Sequence, residues 1–151
     1  MVAVNLIMAL LEHLGEGLSD QIHTINNFYL TELTTATTSN YKNMIIQGLM
    51  MNISYDQNAT IQSLSNHGAL DQVFDFILQN IEGMDKDFEI KRLVIGLSTL
   101  TLSEGSANLD QSLQNRFQGF MKAIVYLCRK SLELRQKQQE KIEKAEVDNC
   151  E

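Results

Sequence analysis

Ile45-Ile46-Gln47-Gly48-Leu49-Met50-Met51 and Leu93-Val94-Ile95-Gly96-Leu97-Ser98-Thr99 follow one pattern: apolar residues, a glycine, then leucine. Gly48 and Gly96 stand 48 positions apart, near the period of ~40–47 residues typical of stacked helix pairs. Glycine inside a helix costs about 1 kcal/mol against alanine. A gain elsewhere must offset that, and the expected one is the close approach of a neighbouring helix at each glycine. The repeat favours an all-α fold in which successive helices stack, a HEAT-type α-solenoid of antiparallel helix pairs. A closed helical bundle is the other architecture that the helix lengths allow.

Outward from this repeat the chain divides into about seven helices. Val2 to Leu14 is the first, with Leu6, Ile7, Leu10, Leu11 and Leu14 on a wide apolar face, and Gly15-Glu16-Gly17 ends it. Ser19 or Asp20 is expected to cap a second helix reaching about Leu33, with Ile22, Ile25, Tyr29 and Leu33 at helical spacing. The β-branched, polar run Thr34 to Asn40 predicts a break. A third helix follows to Ser54, with Tyr41, Met44, Ile45, Gly48 and Leu49 inward. Asp56 or Asn58 opens a short fourth helix that His67-Gly68 closes. Leu70, Val73, Phe74, Ile77 and Ile81 mark a fifth, stopped by Gly83. Asp85 is expected to cap a sixth, carrying Ile90, Leu93, Val94, Leu97 and Leu100, broken by Glu104-Gly105-Ser106. The seventh starts near Asn108 or Asp110, with Leu113, Phe117, Phe120, Ile124 and Leu127 as its core face. No segment alternates strictly, so no sheet is expected.

Two domains of unequal kind result: a helical body over 1–135 and a polar, charged tail over 136–151 that frays or lacks order. In the tail, Glu133–Lys137 and Glu140–Lys144 have the favourable i,i+4 orientation. The absence of proline among 151 residues favours helices with short joints over a loop-rich enzyme. An apolar first helix with no capping residue before it suggests a piece of a longer solenoid, because a terminal repeat needs a polar outer face.

The net charge is −7. Residues 1–128 hold six basic and thirteen acidic residues, whereas the six of each sign from Arg129 onward cancel. An acidic body is a poor nucleic-acid binder. It suits a basic protein partner, or simply solubility. Cys128 and Cys150 make no disulfide framework, and reduced thiols of an intracellular protein are expected. The first fourteen residues lack a signal peptide's basic start and are too short to span a bilayer. His13, His23 and His67 have no metal-ligand spacing, and no nucleophile elbow or phosphate loop occurs. Neither catalytic residues, cofactor nor metal is therefore expected. Asn52-Ile53-Ser54 and Asn58-Ala59-Thr60 match the glycosylation tripeptide by chance.

Asp85, Asp87 and Glu89 are the candidate partner-binding residues. Their cluster at a helix start fits the positive end of the helix dipole. Functionally, it fits a contact for a basic segment. Met44, Met50 and Met51 read as core filler before adaptable surface.

Tyr41-Lys42-Asn43-Met44 through Asn52-Ile53-Ser54-Tyr55-Asp56, then Phe74-Asp75-Phe76-Ile77-Leu78, then Asp85-Lys86-Asp87 and Phe88-Glu89-Ile90-Lys91-Arg92-Leu93 through Leu100 resemble a known family. The likeness is to the C-terminal HEAT repeats of the importin-β (karyopherin-β) superfamily, nearest the branch of importins seven and eight. It departs from that family at Tyr55-Asp56-Gln57-Asn58, where proline is usual, and after Arg135. The resemblance implies a nuclear transport receptor of cytoplasm and nucleus, carrying a protein cargo or adaptor. It implies Ran GTPase as a partner, contacted through repeats outside this segment. The competing reading is a stand-alone helical scaffold or adaptor in a cytoplasmic assembly.

Overall fold

A single residue, Asp56, separates two helices, α3 (Ser39–Tyr55) and α4 (Gln57–Asn66). Its N–H donates to the Asn52 carbonyl at 2.8 Å, closing α3, and its carboxylate accepts the Ala59 N–H at 2.9 Å, opening α4. At the other end of α4, Gly68 adopts φ +61°. The Gly68 and Ala69 N–H groups then reach back to the Ser65 and Leu64 carbonyls, each at 2.9 Å, so His67-Gly68 closes the helix as its sequence predicts. Thr38 caps α3 by accepting the Tyr41 N–H at 3.3 Å.

The computed structural model describes residues 2–102 and 111–148. Among them are seven α-helices and no strand. Besides α3 and α4 these are α1 (Val2–Leu14), α2 (Ile22–Thr35), α5 (Leu70–Asn80), α6 (Asp87–Leu102) and α7 (Gln111–Asp148). The expected break at Glu104-Gly105-Ser106 and the caps at Asn108 or Asp110 lie outside the described residues.

Two helix starts differ from expectation. Neither Ser19 nor Asp20 caps α2. Both belong to a 3₁₀ turn, Gly15–Gln21, and α2 follows Gln21 with no side-chain cap. Residues with weak helix preference wind this joint more tightly than an α-helix. Asp85 does not cap α6 either: the first turn closes on the Lys86 carbonyl, which accepts the Ile90 N–H at 3.1 Å.

Helix α3 is the centre. Residues Ile45 to Ile53 are buried without interruption, packed by α6, α1, α2, α4 and α5. Contacts run in two rows, α1–α3–α6 and α2–α4–α5–α7, joined across by α2 on α3, α3 on α4 and α6 on α7. Both repeat glycines lie at helix contacts. A Cβ on Gly48 would stand 2.4 Å from the Tyr29 ring of α2, and one on Gly96 would stand 2.7 Å from Met50 of α3. The expected close approach is thus present at both.

The predicted core faces of α5 and α6 are buried, with Ile81 and Val94 only partly so. Helix α1 differs. Val4, Met8 and Leu11 face α3, whereas Leu6 (58% exposed) and Leu14 (56%) point outward with Leu10. The helix has two apolar faces, and the narrower one is turned inward. Helix α7 differs too: Leu113, Phe120, Ala123 and Leu127 form its inner stripe, and Phe117 is turned away from it. Residues 136–145 continue α7 as exposed helix. The Glu133–Lys137 and Glu140–Lys144 pairs are not closed, since exposed long side chains gain little from pairing. Gln139 instead donates to Glu143 at 3.1 Å.

Polar side chains join α2, α3 and α4, from the buried Asn26, Asn52 and Thr60 out to His23 at the edge. Asn52 donates to Asn26 at 2.8 Å, Asn26 donates to Thr60 at 3.3 Å, and His23 meets Ser63 at 3.1 Å. Asn52 is fully buried, so its glycosylation tripeptide is closed to modification in the folded chain. Tyr29 is fully buried with its hydroxyl lacking a hydrogen-bond partner among the described residues. Burial pushes that phenol well above its ordinary pKa, and the nearby Arg92 charge only partly opposes this. An unpaired buried hydroxyl costs about 1–3 kcal/mol. Tyr29→Phe is therefore expected to be neutral or to stabilise by about 1 kcal/mol, read from urea unfolding; a clear loss would mean that the hydroxyl is satisfied.

Candidate partner-binding surface

The start of α6 lies beside the second half of α7. Asp87, the first residue of α6, meets Lys91 at 2.8 Å and Arg135 of α7 at 3.4 Å, and it accepts the Ser131 hydroxyl. Lys91, then Ser131 and Arg135, hold the Asp87 carboxyl far below the ordinary carboxylate range. Asp85 pairs with Lys130 at 3.1 Å, and the same ammonium donates to the Glu82 carbonyl at 2.6 Å. Glu89 reaches Lys86 at 3.4 Å. The three predicted acidic residues do lie together, each with an intramolecular cation. Asp85 is the least enclosed, with its side chain 80% exposed.

Phe88 stands half-exposed between two cations, Lys86 Nζ at 5.6 Å and the Arg92 guanidinium at 5.1 Å from its ring centre. Arg92 also donates to Glu12 of α1 at 2.6 and 2.9 Å and to Gln47 of α3 at 3.2 Å. One guanidinium therefore ties α1, α3 and α6 together. A second tie joins α5 and α7: Arg116 meets Asp71 at 2.7 Å and Asp75 at 2.8 Å. Hydrogen bonding to Arg116 lowers the Asp75 pKa.

These ties were not legible in the sequence. The partners stand 41 to 80 residues apart, and no local spacing marks them. Their chemistry is cohesion between helices. Among the described residues no cluster of His, Cys, Asp or Glu is placed to hold a metal, and no helix is long and apolar enough to cross a membrane.

The Asp87 clasp has a sign-definite pH dependence. Its folded pKa lies below the unfolded value of about 4, so its stabilisation is full above that value and fades as pH falls toward the folded pKa. Asp87→Asn should lower the melting temperature at neutral pH and flatten the fall in stability between about pH 4 and pH 2. Circular dichroism melts of both proteins across that range decide it, and parallel curves would exclude the clasp.

The chain matches no protein-family model, no curated protein and no solved structure.

Proposed function

We propose that this chain is a HEAT-type solenoid segment that binds other proteins, the C-terminal repeats of an importin-like nuclear transport receptor. The observation that carries the architecture is the pair of glycine contacts. Gly48 of α3 admits Tyr29 of α2, the helix before it, and Gly96 of α6 admits Met50 of α3, its neighbour in the same row. The two rows of contacts support stacked helix pairs. The apolar outer edge of α1 supports a further helix pair beside it. The transport role itself rests on the residues of the resemblance. Cargo or adaptor would meet the acidic start of α6, where a basic segment exchanges with Lys86, Lys91 and Lys130 for Glu89, Asp87 and Asp85.

The test uses the native protein. An antibody raised to 136–151 should detect a species several times heavier than 17.1 kDa, and proteins co-purified with it should be released by GTP-loaded Ran. A species of 17.1 kDa with Ran-insensitive partners would sink the transport reading. A stand-alone scaffold would then be favoured by the enclosure of α3 on every side, which gives the chain a core without help from neighbours.

A further inference from the structure

We draw no further inference here: the strongest candidate, the groove of about 340 Å³ between α6 and α7 lined by Lys91, Arg135, Cys128 and Leu132, carries nothing, because both of its cations are already paired with Asp87 and nothing in the structure shows what covers its apolar wall.

Discussion

Phe120→Ala is expected to lower the unfolding free energy by about 3–5 kcal/mol. Phe120 is 1% exposed and meets the buried ring of Phe74 edge-on, with centroids 5.2 Å apart and planes at 71°. The pair is the apolar centre of the α5–α7 contact, which outside the core Arg116 and Ser112 of α7 secure through Asp71 and Asp75 of α5. Truncation removes the transfer energy of a ring and leaves a void that the surrounding helices close only in part. The contrast is Phe117→Ala, three residues away, where the ring is turned outward; there the loss should stay near or below about 1 kcal/mol. Urea titrations of both variants, followed by circular dichroism, give the comparison. Equal losses would mean that α7 is rotated from the orientation described.

Gly96→Ala should cost roughly 2 kcal/mol, although alanine is the better helix former. The added methyl would lie 2.7 Å from both the Cβ and the backbone oxygen of Met50. Backbone atoms of a fully buried helix cannot step aside as a side-chain tip can, so the overpacking penalty stands at or above its usual 1–3 kcal/mol. About 1 kcal/mol returns through helix propensity. Gly83→Ala is the control, because nothing lies within 4 Å of a Cβ there. It should change stability by no more than about 0.5 kcal/mol. If the two substitutions behave alike, the α3–α6 contact is looser than the distances given above.

Those two glycines also show what the sequence makes legible. A glycine placed where a helix should not want one, twice, at corresponding points, is enough to indicate close helix contact from the residues alone. Helices whose apolar residues occupy one stripe, such as Leu70-Val73-Phe74-Ile77, could be oriented as well. Orientation failed where a helix is apolar on two sides. Val4-Met8-Leu11 and Leu6-Leu10-Leu14 are both good stripes, and only the packing on α3 selects between them. It failed on α7 for the same reason, because Phe117 and Phe120 each fit a helical row with Leu113 or Leu127. The acidic start of α6 is visible in the sequence as a cluster. Its occupancy by Lys130 and Arg135 is not, since those residues come from a helix more than forty positions later.

Helix α3 has a consequence for how the chain reaches its folded state. Nine consecutive residues, Gln47 and Asn52 among them, are buried at once. A helix with no solvent-facing side in its middle has little to gain by forming early, for its polar groups find partners only when α2 and α6 arrive with Asn26 and Arg92. Linear repeat arrays can melt from one end, unit by unit. Here the element that an end-first melt would expose next is the one against which α1, α2, α4, α5 and α6 all pack, so partial structures are penalised and the body should cross in one cooperative step. The exposed length of α7 beyond Arg135 is exempt: it can lose and regain its helix without the core taking notice.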